Sequence, residues 1–359
     1  MISNFSKLTI EARQDISFVK HFLYLFLSIV LGVLISLLIV LDAGIDLNSI
    51  YEEFIVFTFF NSSGLSTIFV EATPLLIVGL SAAMAFRINF WNIGIEGQFF
   101  MGVIGATIVA IFDIGNENIR IYIMFIFSVF FGASWIIIPM ILKIKLKINE
   151  VVTTLLFNYL AFYFVLNQVY GAWKDPVDKF PHSEQFEIVE RIPKIGWEEV
   201  NVGIFISVAL FLLVWFLIEK TTFGIKSRFC GSNAKMALAI GIPFYQIMII
   251  SALFSGGLSG IAGFVVSSAH EFRLTPYIAA GYGFSGIVIA FLASNKPFYI
   301  LLVAFLMGSL YVAGDSLKVF YNLPSALVSL IQAIIVLCVA SSEFFIRYKI
   351  KVLNIKEGN

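Results

Sequence analysis

Apolar runs long enough to cross a lipid bilayer recur along this chain between residues 22 and 340, with short polar connections between them. That recurrence leaves few folds open. No water satisfies backbone N–H and C=O groups inside the hydrocarbon core, so a crossing segment must bond its own backbone as a helix or close into a barrel. Runs near 20 residues have helix length, since a barrel strand needs only about 10. Charged residues make up 13% of the 359, against roughly 25% in a soluble domain. With 60% hydrophobic residues and a mean hydropathy of +0.96, the chain reads as an integral membrane protein.

Ten runs are expected to span: 22–41, 68–86, 95–112, 121–142, 151–170, 202–218, 247–268, 277–294, 298–312 and 324–340. Residues 42–53 are acidic and lead to a shorter apolar run, 54–60, which reads as an interfacial helix. The eighth run is broken by Gly281, Gly283 and Gly286. The first is too long for a signal-peptide core and lacks a small-residue cleavage site, so it reads as a retained span. Small residues along the seventh, Ser255, Gly256, Ser259, Gly260 and Gly263, recur at helical spacing and predict close helix packing.

Basic residues fix the orientation, because cytoplasmic loops are enriched in Lys and Arg. With the N-terminus inside and ten crossings, 16 of the 23 Lys and Arg fall on the cytoplasmic side. The other seven, Arg120 among them, fall outside among more numerous acids. The expected organisation is a cytoplasmic segment (1–21), a membrane domain (22–344) with an external loop (171–201) and a cytoplasmic loop (219–246), and a basic cytoplasmic tail (345–359).

The cytoplasmic loop is a polar island in an oily sequence. Ser232 or Asn233 can cap a helix over 234–240, Gly241 takes the stop position and Pro243 follows. About seven residues cannot hold a helix in water, so a partner is expected to do so. Met236 and Ile240, four apart, can face that partner, and Arg228 and Lys235 can meet acidic groups at its rim.

Several classes are excluded. The chain has no G-x-x-x-x-G-K-[ST] loop, so any ATP, with its magnesium, must be bound by another subunit. His21, His182 and His270 are scattered and make no metal or triad pattern, and the two cysteines, Cys230 and Cys338, indicate no disulfide framework. No nucleophile with a base stands in a span. No cofactor and no nucleic acid is expected on this chain, and lipid surrounds it. The residues to watch for a translocation path are Asn92, Glu96 and Gln98, with Asn158, Tyr159 and Gln332 in the fifth and tenth spans. Each can equally serve as a turn or an interhelical hydrogen bond. An ion-driven carrier, binding substrate at Glu96 and the broken eighth span, stays open on these residues.

Several blocks resemble a known family. Ala72-Thr73-Pro74, Ala85-Phe86-Arg87, Phe90-Trp91-Asn92-Ile93-Gly94 and Glu96-Gly97-Gln98 are similar to the hallmark of permeases in the ribose, branched-chain amino acid and nucleoside ABC importers. Asn149-Glu150-Val151-Val152 with Thr154 resembles a second block, and Gly281-Tyr282-Gly283-Phe284 a late glycine block. Phe223-Gly224, Arg228, Gly231, Asn233, Ala237 and Gly241-Ile242 look like the ATPase-docking segment. The second block and the long outer loop are most similar to the nucleoside branch, although Ser285 stands where that branch usually has an acid. The resemblance implies an all-helical permease of two inverted five-helix halves in a bacterial cytoplasmic membrane. It also implies a double ATPase, a second, different permease and a binding lipoprotein of the basic-membrane-protein type.

Overall fold

The structure, a computed structural model, describes residues 5–13, 17–42, 44–46, 51–279 and 281–355. Parts of the N-terminal segment, of the acidic stretch after the first span and of the tail, Lys356 included, lie outside the described residues. In chain order, β1 (Phe5–Ala12) leads to α1 (Phe18–Asp42), and a π-helical turn (Tyr51–Phe57, continued by Thr58–Phe60) precedes α2 (Ser62–Phe86) and α3 (Ile95–Ile111). Next come α4 (Glu117–Trp135), α5 (Ile137–Leu146), α6 (Glu150–Tyr170), α7 (Gly203–Lys220), α8 (Thr222–Ser232), α9 (Ala234–Ala239), α10 (Phe244–Val266), α11 (Tyr282–Leu292), α12 (Pro297–Tyr321) and α13 (Ser325–Arg347). β2 (Tyr348–Ile355) ends the described chain.

Among the described residues, seven helices are long and apolar enough to cross a membrane. Three shorter apolar helices, Phe26–Asp42, Ile95–Ile111 and Tyr282–Leu292, fall within other predicted runs. Asparagine starts four of the helices in the same way. Asn61, Asn116, Asn149 and Asn233 each turn a side-chain oxygen onto a backbone N–H of the first turn, at 2.9–3.2 Å. The fourth predicted span is two helices meeting at Ile136, because Pro139 has no N–H to continue the ladder there.

Contacts divide the chain into two compact units, residues 60–312 and residues 1–59 with 313–359. In the larger, α2 and α10 are the interior helices, with 83% and 78% of their spanning windows buried, against 22% for the α4–α5 run and for α7. The small residues of α10 explain this. A Cβ on Gly102 would lie 2.3 Å from the Gly260 carbonyl oxygen, and one on Gly260 would lie 2.1 Å from the Ser128 carbonyl oxygen, so α3, α4 and α10 meet backbone to backbone. Hydroxyls reinforce the contact: Ser128 Oγ donates to the Gly102 carbonyl (2.7 Å), Ser81 Oγ to that of Ser255 (2.7 Å) and Ser259 Oγ to that of Ile95 (2.6 Å).

The predicted external loop is irregular but anchored. Its backbone N–H groups at Ser183, Phe186 and Ile192 donate to the carbonyls of Leu274, Phe272 and Ser268. Arg120 joins it to α4, with Nη1 at 2.7 Å from Asp113, 3.2 Å from Glu187 and 2.9 Å from Glu190.

Two expectations are corrected here. The eighth run, 277–294, is helical only over Tyr282–Leu292, and Gly283 and Gly286 lie inside that helix. The interruption comes before it, at Gly281, whose φ of +81° suits a residue without a Cβ. Nor is the protein wholly helical. In the smaller unit β1 and β2 pair antiparallel, from Phe5 opposite Ile355 to Ala12 opposite Tyr348. Apolar and charged residues alternate through Tyr348-Lys349-Ile350-Lys351-Val352, a strand period that the count of basic residues had obscured. In the same unit α1 and α13 touch closely at Gly32, where a Cβ would be 2.9 Å from the Ile335 Cα.

Candidate functional site

Two places in the larger unit hold most of the residues singled out above. The first is the polar island, which folds as two helices. α9 follows the expected design: Asn233 Oδ1 accepts from the Met236 N–H (3.0 Å), and Gly241 ends it at φ +80°. α8, just before it, is an addition that the sequence reading missed. Met236, Ile240, Arg228 and Lys235 are exposed, as a docking face requires. Ile225, Phe229, Leu238 and Tyr245 are exposed with them, so the island carries apolar surface on a segment rich in polar residues.

Three residues grouped with that face point elsewhere. Ala237 is buried, so its methyl seats α9 on the protein. A Cβ on Gly224 would stand 1.9 Å from the Ile218 carbonyl oxygen, and one on Gly231 2.0 Å from that of Arg87. Both glycines therefore allow close packing inside the chain. Gly241 has open space around it and serves the backbone turn.

What holds α8 is a side chain to which the sequence alone assigns no role. Arg87, just past the end of α2, donates from Nε to Ser227 Oγ (3.0 Å) and from Nη2 to the Gly224 carbonyl (3.2 Å). Asn89 Nδ2 donates to the Gly231 carbonyl (2.5 Å). Burial, then Arg228, lowers the Arg87 pKa, with Glu219 acting the other way. Cys230 is buried on the same helix, and burial raises its thiol pKa. The available signal was Arg87 itself, the one basic residue in the turn between α2 and α3.

The second place is the start of α3. Asn92 is wholly buried; its Nδ2 donates to Gln98 Oε1 (2.9 Å) and Ser255 Oγ (2.9 Å), and its Oδ1 accepts from Gln98 Nε2 (3.0 Å) and the Gly94 N–H (3.1 Å). Asn158 on α6 accepts from the Gly97 N–H (2.8 Å) and donates to the Ile93 carbonyl (2.8 Å). Asn92, Gln98 and Asn158 thus act as braces that satisfy a non-helical turn. Glu96 does more. Its Oε1 accepts from the Gly281 N–H (3.1 Å) and its Oε2 from the Gly283 N–H (2.6 Å), capping α11 from another helix. A Cβ on Gly283 would reach 2.3 Å from the Glu96 backbone nitrogen, so glycine is required for that approach.

Beside Glu96 lies a cavity of about 300 Å³. Phe100, Phe162 and Phe284 wall it, Tyr159 and Tyr277 stand at its rim, 58% and 81% exposed, and its polar side-chain groups are Glu96, Asn158 and the two tyrosine hydroxyls. Ser285 is held by its neighbours: its Oγ donates to the Gly281 carbonyl (3.0 Å) and meets the Tyr311 hydroxyl at 2.5 Å. Gln332 belongs to the smaller unit, where its Nε2 would be 2.7 Å from a Cβ on Gly314.

Comparison with known proteins adds the family. The sequence model of the family described as "Branched-chain amino acid transport system / permease component" matches residues 64–340. The guanosine ABC transporter permease protein NupP of Bacillus subtilis is 29% identical over 346 residues, covering 95% of this chain and 99% of the relative. A glucose ABC transporter permease protein of Haloferax volcanii is 28% identical over 328 residues, covering 88% of this chain and 86% of the relative. The nucleoside ABC transporter permease protein NupB of Lactococcus lactis is 24% identical over 325 residues, covering 88% and 89%.

Proposed function

This chain belongs to the branched-chain amino acid transport system / permease component family, and from that membership we propose that it is the membrane subunit of an ATP-driven nucleoside importer. The observation that carries the ATP-driven part is the exposed apolar surface of α8 and α9, with Met236, Leu238 and Ile240 at its centre. Charge counting assigns that island to the cytoplasm, where such a surface needs a cover. An ATPase subunit is the occupant, since this sequence carries no phosphate-binding loop of its own. ATP and magnesium act there. Relatives that transport guanosine and other nucleosides support the cargo.

The proposed topology is ten crossings in two inverted five-helix halves, with both ends in the cytoplasm of a bacterial cell. Pairing of β1 with β2 supports it, because ends that share a ribbon lie on one side and the number of crossings between them is then even. A second, related permease completes the path, and a lipoprotein delivers substrate from outside. The glucose relative favours a second reading, a sugar importer.

Uptake separates these readings. The chain, reconstituted in vesicles with the subunits that co-purify from its host, is expected to accumulate labelled guanosine or uridine only when ATP is inside. Glucose uptake without nucleoside uptake would contradict the cargo, and ion-driven uptake without ATP would contradict the ATPase.

A further inference from the structure

The cavity beside α11 is tied to a break in the fold. At 11 residues, α11 is roughly 16 Å long, about half of a hydrocarbon core. The chain before it, from Phe272 to Gly281, has no regular helix where it is described. Irregular backbone at membrane depth is stable only where protein buries it or a water-filled cavity adjoins it, and a half-helix starting at such a break is a common address for a transported ligand. Here the start of the half-helix, at Gly281, lines the cavity.

Hydrogen-bonding capacity defines what could sit there. Glu96 offers about four lone-pair positions, of which the Gly281 and Gly283 N–H groups take two and the Phe284 N–H draws on a third, leaving about one. Asn158 has spent one N–H on Ile93 and one lone pair on Gly97, leaving about one donor and one acceptor position. Aromatic rings make up most of the remaining wall. A lining made mostly of aromatic rings suits a planar base, which brings two faces to stack and one edge to bond, better than a sugar, which has no flat face.

We propose that this cavity holds the base of the nucleoside in transit, stacked among Phe100, Phe162 and Tyr277, with Glu96 and the spare Asn158 acceptor taking N–H groups on the base edge. The assignment rests on the nucleoside reading given above. It makes Glu96 a specificity residue as well as a cap. Guanine places two neighbouring N–H donors on one edge, while adenine places a ring acceptor beside its amino group. Guanosine is therefore bound in preference to adenosine.

Photolabelling tests the site directly. The assembled importer, with its ATPase and second permease, is illuminated with 8-azidoguanosine and the labelled peptides are mapped. Label is expected on the segments containing Phe162 or Tyr277, displaced by guanosine and unaffected by ribose. Glu96→Gln is expected to lower guanosine uptake relative to adenosine uptake by about tenfold, the scale of one hydrogen bond to a charged acceptor. Because Glu96→Gln can disturb the cap on α11, Tyr277→Ala is the companion: Tyr277 is 81% exposed, so its ring can be removed with little cost to folding. It is expected to cut guanosine uptake and labelling together, and Tyr277→Trp to restore both. Label confined to other segments, displacement by ribose, unchanged base preference in Glu96→Gln, or unchanged uptake and labelling in Tyr277→Ala would overturn the site while leaving nucleoside import standing. Absence of nucleoside uptake by the wild-type assembly would instead remove the reading beneath it.

Discussion

Arg87 ties α8 to the end of α2 through partly buried hydrogen bonds to Ser227 and Gly224. Truncation to alanine leaves the Gly224 carbonyl without that donor, a loss of about 1–3 kcal/mol for hydrogen bonds of a charged group. Cys230 reports the consequence. Its thiol is buried and its pKa is raised, so at neutral pH it holds less thiolate than a free cysteine and alkylates slowly. In a Cys338→Ser background, Arg87→Ala is expected to speed N-ethylmaleimide labelling of Cys230 by about tenfold or more, as local opening becomes cheaper. An unchanged rate would show that Arg87 does not seat the helix. Asn158→Ala should lower the thermal midpoint of the purified protein, because the Gly97 N–H and the Ile93 carbonyl both lose their partner. At this scale the sequence marked Asn92, Glu96, Gln98 and Asn158 for attention but did not show to whom they bond. Asn92 and Gln98 are six residues apart and could be paired by eye, whereas Arg87 and Ser227 are joined only by the fold.

Among elements, α9 was the most legible, because its cap, its length and its stop are all local chemistry. Which side faces out was not. Met236 and Ile240 are exposed as their spacing suggests, but Ala237 between them is buried, since a helix of six residues lying on a surface must put one small residue beneath itself. Two substitutions therefore separate seat from face. Met236→Glu with Ile240→Glu is expected to leave the unfolding free energy within about 0.5 kcal/mol of wild type, and so the thermal midpoint nearly unchanged, while abolishing ATPase retention on an affinity column. Ala237→Glu is expected to lower the midpoint itself, because it buries a charge without a partner. The eighth span was misjudged in extent because Tyr277, Ile278 and Ala279 are as apolar as any helix. Composition cannot show that a left-handed glycine at 281 starts the helix only afterwards. β2 was missed for a related reason: in a membrane protein a basic tail reads first as a charge signal, and its alternation is visible only when that expectation is set aside.

Across the whole molecule, length and apolar periodicity were enough to place ten runs, and every one contains a helix, although α3 and α11 reach only 17 and 11 residues. The strand pair joining the two ends was beyond them, since no local pattern announces a partner more than three hundred residues away. It also yields a topological expectation. Single cysteines introduced at Ser6 and Asn354, which face each other in the ribbon, should form a disulfide under mild oxidation and both be shielded from an impermeant reagent added outside whole cells. Labelling of one end alone would require an odd number of crossings. If the α8–α9 surface couples this permease to the ATP hydrolysis that drives nucleoside import, ATP-dependent guanosine uptake in vesicles containing the assembled importer depends on Met236 and Ile240. Uptake is expected with the wild-type chain, and none with Met236→Glu and Ile240→Glu despite normal insertion. Equal uptake by the two, or uptake by the lone chain without any ATPase, would contradict that coupling.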